Sequence, residues 1–216
     1  MRILTHTKRS VFRGGRIMND TREHILNVAF KLFMQKNFKE VTMKEIVDKT
    51  GMSKGAFYHY FESKEQLFLE LINNAFSSTI NIQYGNLSMD SLYQFYHDYI
   101  DYFIENLFPK NKREEGNNFS FNYFSLIFDA LKLFPSFQGK LIESQLVELN
   151  LWKKIVHNAK NKGEIKSLMD DEQIARMFIY SSDGVGMRNI LVKGSCEDTK
   201  EALSALWDEF YAELKA

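Results

Sequence analysis

The chain repeats apolar residues at every third or fourth position along most of its length, and this spacing restricts its fold more than any other feature. Apolar side chains at that spacing share one face of an α-helix, whereas a half-buried strand needs strict alternation. Only two prolines, Pro109 and Pro135, interrupt the pattern. The sequence therefore predicts an all-α fold, and 216 residues are enough for one or two small domains with buried cores.

Cap signals and turn residues divide the helical pattern into about nine segments. Asp20 and Glu23 form a D-x-x-E signal that predicts the start of the first helix, because an N-cap carboxylate accepts hydrogen bonds from the first backbone N–H groups. Similar signals, with glycines and a proline, predict eight more helices. These cover residues 43–50, 53–60, 63 onward, 88–107, 118–134, 136–161, 171–192 and 195–214.

The side-chain inventory argues against several classes of protein. Lysine and arginine total 28, as do aspartate and glutamate, so the net charge is zero and indicates no particular partner. The single cysteine, Cys196, excludes an internal disulfide, and the five histidines lack metal-ligand spacing. There is no catalytic or nucleotide-binding motif and no apolar run of about 20 residues. We therefore expect a soluble, cytoplasmic protein without enzymatic activity, metal, cofactor or membrane span.

Residues 1–18 form a basic N-terminal extension. They carry five basic side chains, no acidic one and two adjacent glycines, and they lack a helical stripe, so we expect weak order. Two interpretations of this segment are open. It is a basic arm that reaches a DNA minor groove, or residues 1–17 are an untranslated leader, with the native start at Met18.

Two short helices joined by a glycine turn dominate the region around residues 42–61. Thr42 and Glu45 form a T-x-x-E capping box, Gly51 supplies the turn, and Ser53 begins the next helix. This is the helix-turn-helix arrangement, whose second helix can enter the DNA major groove. The many polar groups of "SKGAFYHY" suit a surface that meets phosphates and base edges.

The run "VTMKEIVDKTGMSKGAFYHYFESKEQLF", preceded by "REHILNVAFKLFMQKNF", resembles the DNA-binding domain of the TetR family of transcriptional regulators. The resemblance covers about residues 19–79, and its "SKG..Y.YF..K..L" core is specific. It implies a three-helix helix-turn-helix domain over residues 19–79. It also implies a helical domain over residues 80–216 that binds a small effector and dimerises through its last two helices.

The resemblance implies contacts with DNA phosphates or bases from eight residues. These are Thr42, Ser53, Lys54, Gly55, Tyr58, His59, Tyr60 and Lys64. Gly55 contributes by lacking a side chain, which allows a close approach of the helix to the nucleic acid. Residues 19–79 carry eight basic and eight acidic side chains, so we expect affinity to depend on a few placed contacts.

Aromatic side chains are abundant in the C-terminal half, where they suit a pocket for a flat or hydrophobic ligand. The candidate effector residues are Phe95, Tyr99, Tyr102, Phe121, Tyr123, Phe124, Phe128 and Trp152.

Glycines within a helix cost about 1 kcal/mol each, which close packing against a partner helix would offset. The candidate dimer residues are Gly184, Gly186, Leu203, Leu206, Trp207 and Phe210.

The preferred interpretation is a homodimeric repressor that binds a palindromic, double-stranded operator and is released by a small hydrophobic or aromatic effector. Two alternatives remain. In one, a protein partner controls the helix-turn-helix protein instead of a small effector. In the other, the chain is a helical small-molecule carrier or enzyme that keeps the motif only for its structure.

Overall fold

The computed structural model describes residues 11–80, 87–107, 118–192 and 195–215, and these ranges contain nine α-helices and no strand. The all-α prediction is confirmed. The helices are α1 Val11–Phe33, α2 Met43–Thr50, α3 Lys54–Tyr58, α4 Lys64–Ile80, α5 Leu92–Leu107, α6 Asn118–Leu133, α7 Phe137–Asn161, α8 Asp171–Leu191 and α9 Cys196–Leu214.

The chain divides into two compact units, Met1–Ala75 and Phe76–Ala216. The predicted domain boundary, between residues 79 and 80, lies four residues later and stays a prediction. The same holds for the N-terminal extension, of which residues 1–10 lie outside the described part of the chain. Within the described ranges, no helix combines the length and the apolar character needed to cross a bilayer.

Helix α1 begins at Val11, nine residues before the predicted start at Asp20. Val11–Met18 are thus helical, whereas the sequence pattern alone gives no helical stripe there. Lengthening an existing helix adds a hydrogen bond for each residue fixed, whereas starting a helix is unfavourable. Gly14 and Gly15 each oppose this extension by only about 1 kcal/mol. The capping signal at Asp20 thus lies inside a helix rather than at its end.

Helices α8 and α9 begin where the sequence predicts, and both starts are held by reciprocal caps. Ser195 Oγ accepts a hydrogen bond from the Asp198 N–H at 3.1 Å, and Asp198 Oδ2 accepts one from the Ser195 N–H at 2.8 Å. Asp170 and Gln173 form the same arrangement at α8. Each cap satisfies two N–H groups that a helix start leaves without a partner.

Helix α5 begins at Leu92 rather than at the predicted Ser88. The Ser88 N–H donates instead to Asp98 Oδ2 at 3.0 Å, which holds the preceding residues in a turn. The Glu164 carboxylate caps α5 by accepting from the N–H groups of Leu92 and Tyr93, at 2.9 and 3.0 Å. Because Glu164 follows α7, some 70 residues later, no local pattern could locate this start.

The core of the first unit joins α1, α2, α3 and α4. The Phe68 ring packs edge-on against Phe33 and Phe38, with centroid distances of 4.9 and 4.7 Å. Every one of the four helices, and the loop between α1 and α2, contributes fully buried side chains. These include Ile25, Ala29, Val41, Ile46, Phe57, Leu67 and Ile72. The short helices α2 and α3 are therefore held by the two longer ones.

The core of the second unit is a group of aromatic rings from α5, α7, α8 and α9. The Trp152 ring stacks on Phe178 with a centroid distance of 4.8 Å and meets Trp207 edge-on at a centroid distance of 5.5 Å. The centroid of the Tyr99 ring lies 5.0 Å from that of Trp152. The Trp207 indole N–H donates to Ser181 Oγ at 2.8 Å. Ring pairs of this kind stabilise a core beyond the area they bury.

Candidate nucleic-acid interface

Helix α2 carries its predicted cap and its predicted turn residue. Thr42 Oγ1 accepts a hydrogen bond from the Glu45 N–H at 3.2 Å. Gly51 follows the helix with φ of 69°, in the left-handed region that favours glycine. Ile46, Val47 and Thr50 are buried, whereas Lys44, Asp48 and Lys49 are exposed. This geometry fixes the angle at which the chain enters the next helix.

Helix α3, the predicted recognition helix, is anchored by two phenylalanines. Ser53 Oγ accepts from the Ala56 N–H at 3.3 Å and caps the helix. The Phe57 side chain, inside the helix, and the Phe61 side chain, just beyond it, are both fully buried. A helix of five residues is too short to persist alone in water. Burial of these two rings therefore sets both the position and the exposed face of α3.

Helix α3 ends at Tyr58, two residues earlier than predicted. The Tyr60 N–H donates to the Phe57 carbonyl at 2.9 Å, a bond across three residues that tightens the last turn. This tightening brings Phe61 into the core. His59 follows the helix with helical backbone angles, and its side chain is exposed.

The outward surface of α3 presents four of the predicted DNA residues. Lys54, Gly55, Tyr58 and His59 are exposed, and the Lys54 ammonium lies 5.9 Å from the centroid of the Tyr58 ring. A Cβ atom placed on Gly55 would have no neighbour within 4 Å, so packing within the protein does not require glycine there. Tyr60 is only partly exposed. As DNA contacts, all of these residues stay predictions.

Lys64 was also predicted to contact a phosphate, but within the protein its ammonium binds the loop between α1 and α2. Nζ donates to the carbonyl oxygens of Phe38 at 2.8 Å and Val41 at 2.7 Å. The ammonium also lies 4.3 Å from the centroid of the Phe38 ring. Local sequence spacing does not reveal these contacts, because the partners lie more than 20 residues earlier in the chain.

Arg22 is a structural residue of this region that the sequence patterns did not identify. Its guanidinium makes a bidentate pair with the Glu70 carboxylate, with Nε to Oε1 at 2.6 Å, and lies 4.5 Å from the centroid of the Phe61 ring. It also donates to the Tyr60 carbonyl at 3.3 Å. The hydrogen bond that Arg22 donates to the Glu70 carboxylate raises the pKa of Arg22. Arg22 thus ties α1 to α4 and to the residues that follow α3.

The predicted effector residues fall into three groups in the second unit. Phe95, Tyr99 and Trp152 are buried in the aromatic core. Tyr102 and Phe124 are partly buried, and Phe128 is half exposed on α6. The side chains of Phe121 and Tyr123 lie outside the described residues. The structure therefore brings only part of the predicted set together.

Tyr99 has a polar contact within this unit. Its hydroxyl donates to the Glu148 carboxylate on α7. Burial raises the pKa of Glu148 above its ordinary value of 4.5, the Tyr99 hydrogen bond opposes this, and the nearby Asp183 raises it further. Trp152 Nε1 is buried and has no hydrogen-bond partner among the described residues. These groups make the aromatic core less uniformly apolar than its ring content indicates.

A separate groove of about 620 Å³ lies between α7 and the start of α8. Its charged side chains pair with one another: Glu172 binds Lys153 at 2.9 Å and Arg176 at 2.6 Å, and Asp171 binds Lys160 at 2.9 Å. None of the predicted effector residues lines this groove. We interpret it as a surface network of ion pairs.

The predicted dimer residues also separate by exposure. Leu206 on α9 and Gly184 on α8 are exposed, and a Cβ atom on Gly184 would have no neighbour within 4 Å. Leu203 and Trp207 are buried in the core of the same protomer, as is Gly186. Phe210 is partly buried and packs against Phe178 with a centroid distance of 5.1 Å. Half of the predicted set therefore faces inward.

Comparison with known proteins identifies the helix-turn-helix region. Residues 25–71 match the model of the family described as bacterial regulatory proteins, tetR family. The chain is 26% identical to the HTH-type transcriptional regulator YerO of Bacillus subtilis, over 77% of this chain and 64% of YerO. It is 29% identical to the TetC protein of transposon Tn10 from Escherichia coli, over 74% of this chain and 91% of TetC.

A third similarity comes from a solved structure. The reduced form of NemR from E. coli has a TM-score of 0.61, with 18% identity over 91% of this chain and 98% of NemR. At this identity the match shows a common fold. The sequence of NemR, described as an HTH-type transcriptional repressor, is 33% identical over 60 residues, which are 28% of this chain and 30% of NemR. The resemblance predicted from the motif is confirmed.

The two glycines of the motif predict opposite effects on stability. Gly51→Ala should lower the free energy of unfolding by about 1–2 kcal/mol, because its left-handed backbone strains any side chain. Gly55→Ala should leave it unchanged or raise it by up to about 1 kcal/mol, because alanine favours a helix and the space is open. Urea denaturation of both variants measures these differences. Equal effects of the two substitutions would contradict this assignment.

Proposed function

We propose that the chain is a TetR-family transcriptional regulator and acts as a homodimeric repressor, which a small hydrophobic or aromatic effector releases from a palindromic operator. Relatives named as regulators support a DNA-binding role rather than an enzymatic one. A repressor of this kind acts on DNA in the cytoplasm.

The observation that carries the proposal is the division of α3 into a buried and an exposed side. Phe57 is buried and anchors the helix, while Lys54, Tyr58 and His59 project from it with polar groups free to approach DNA. Hydrogen bonds to phosphates set the register of a protein on the duplex, and contacts to base edges specify sequence. We assign Lys54 to a phosphate, and Tyr58 and His59 to the groove.

Thr42 and Ser53 add contacts at the starts of α2 and α3. Each hydroxyl caps its own helix, so each is held in place and leaves backbone N–H groups of the first turn near the solvent. Such N–H groups bind phosphate oxygens well, because the helix start carries partial positive charge. This supports two phosphate contacts, one at the start of α2 and one at the start of α3.

Substitutions on the exposed side of α3 should weaken operator binding without unfolding the protein. Tyr58→Ala should cost about 1–3 kcal/mol in affinity. Lys54→Ala should lower the salt slope by about one unit for each subunit. Gly55→Ala should weaken operator binding, because the added methyl group holds the backbone of α3 away from DNA. The free energy of unfolding of this variant should not fall. Lys31→Ala, at an exposed lysine of α1, is the matched control.

The measurement is fluorescence anisotropy with DNA from the region upstream of the gene, at several salt concentrations. Specific binding that survives unchanged in all three α3 variants would contradict the site. Loss of binding in Lys31→Ala to the same degree would point to a general charge effect instead.

The exposed side of α8 and α9 supports the dimer. Met177 and Tyr180 on α8 and Leu206 on α9 are 51%, 57% and 44% exposed, which leaves large apolar side chains in solvent. Gly184 on α8 has open space where a partner helix could approach closely. We therefore propose that α8 and α9 of two protomers form a four-helix interface. A two-fold dimer places its recognition helices on half-sites about 34 Å apart.

A charge introduced into this interface should separate the protomers. Leu206→Asp should raise the dimer dissociation constant by about 100-fold or more, because an unpaired carboxylate buried in an apolar interface costs several kcal/mol. Leu168→Asp is the matched control, since Leu168 lies fully exposed in the loop before α8. Light scattering across a dilution series measures both variants. A Leu206→Asp dimer as tight as the wild type would rule out this surface.

We place the effector site in the second unit, beside the aromatic core. Tyr102, Phe124 and Phe128 are partly or half exposed and offer ring surface to a flat ligand. The buried Trp152 Nε1 donor can serve a polar atom of the effector. The effector must bind the conformation that cannot bind DNA more tightly, by about 10⁴-fold to invert a 1:99 population.

A panel of hydrophobic and aromatic compounds tests the effector. At least one compound should raise the melting temperature of the protein and lower its operator affinity at the same concentration, because both effects follow from binding one conformation. Phe128→Ala should reduce both effects together. A compound set without either effect, combined with operator release by a purified protein partner, would favour the alternative of control by a protein.

A further inference from the structure

We propose that Lys64 is a positioning residue, which holds the loop between α1 and α2 so that Thr42 and α2 are set correctly on the operator. This role replaces the phosphate contact predicted from the family pattern, and it rests on the proposed DNA-binding function.

The ammonium of Lys64 is already occupied within the protein. It donates to the carbonyl oxygens of Phe38 and Val41 at 2.8 and 2.7 Å, and the face of the Phe38 ring lies 4.3 Å away. A lysine ammonium has three N–H donors, and two of them are used by these carbonyls. The third side of the group faces an aromatic surface that attracts cations. To bind a phosphate in full, Lys64 would have to give up these contacts.

Lys64 donates hydrogen bonds to two carbonyl groups of the loop, those of Phe38 and Val41. The N–H groups of Asn37, Glu40 and Val41 find their acceptors within the loop itself. Asn37 and Glu40 cap each other: the Glu40 N–H donates to Asn37 Oδ1 at 3.1 Å, and the Asn37 N–H donates to Glu40 Oε2 at 3.3 Å. The Val41 N–H donates to the Asn37 carbonyl at 3.4 Å. The Phe38 and Val41 carbonyls point to Lys64. Removing the ammonium therefore leaves two partly buried acceptors without this donor.

The loop leads directly into the DNA-binding surface. Val41 is fully buried and immediately precedes Thr42, whose hydroxyl caps α2. Lys64 is the first residue of α4, and the Ser63 cap, which accepts from the Gln66 N–H at 3.1 Å, fixes its backbone. Lys64 thus connects the first turn of α4 to the loop residue that precedes the N-cap of α2. A displacement of the loop would move Thr42 away from its phosphate.

The experiment compares Lys64→Met with Lys54→Met in the full chain. Both variants lose one positive charge and keep an unbranched apolar stem. Three quantities are measured: the melting temperature, the affinity for the operator, and the affinity for unrelated DNA, the last two across a salt series and well below the melting temperature of each variant.

The two variants should differ in melting temperature and in salt slope. Lys54→Met should keep the wild-type melting temperature, weaken binding to both DNAs and reduce the salt slope by about one unit for each subunit. Lys64→Met should lower the melting temperature by several degrees and weaken operator binding about tenfold. Its salt slope should stay at the wild-type value, because no charged contact is lost, and its affinity for unrelated DNA should fall less than its affinity for the operator. If Lys64→Met does not fold, Lys64→Gln, which keeps one donor group, replaces it.

A double-mutant cycle separates positioning from general stability. If Lys64 acts through Thr42, then Thr42→Ala should cost operator affinity in the wild type but add little to Lys64→Met. Additive losses would overturn the proposal. So would a reduced salt slope in Lys64→Met, which indicates a phosphate contact, or an unchanged ratio of operator to unrelated binding, which indicates a lysine needed only for folding.

Failure of the proposed function gives a different result. A wild-type protein that prefers no fragment of the upstream region over unrelated DNA would overturn the operator-binding function, and this proposal with it. In the three outcomes above, by contrast, the wild type still binds its operator specifically and only the variants depart from expectation.

Discussion

The burial of Phe57 and Phe61 is the constraint on which the DNA-binding unit depends. Helix α3 has five residues, so its own hydrogen bonds cannot maintain it, and its position comes from two rings placed in a core that α1, α2 and α4 provide. The same burial decides which residues face outward. Lys54, Tyr58 and His59 are exposed because the helix has no other way to bury its phenylalanine.

Charged side chains assist this packing from the edges of the unit. The bidentate pair of Arg22 with Glu70 joins α1 to α4, while Lys64 joins α4 to the loop before α2. Within the protein, these charged groups stabilise the scaffold. With eight basic and eight acidic residues in residues 19–79, little positive charge is left over to attract DNA from a distance.

Local patterns predicted the helices well because caps and glycines act within four residues. Thr42, Ser53, Gly51 and Ser195 all occupy the places that their spacing indicates. The features that local patterns missed depend on partners far along the chain. The cap of α5 by Glu164 and the contacts of Lys64 produce no periodic pattern in the sequence. The start of α1 at Val11 reflects the extension of a helix that is already formed, which needs no capping signal. The packing of α8 and α9 within the second unit likewise determines which of the candidate dimer residues face inward, and the sequence pattern did not separate these from the exposed ones.

The division of α3 has a consequence for how such regulators diversify. The side chains that hold the helix and those that face solvent are different residues, and an added Cβ at Gly55 meets nothing in the protein. Substitutions on the outer side therefore leave the fold almost untouched. A duplicated copy of this gene could change what the outer side of α3 binds through a handful of substitutions, while the buried scaffold and the second unit are inherited intact.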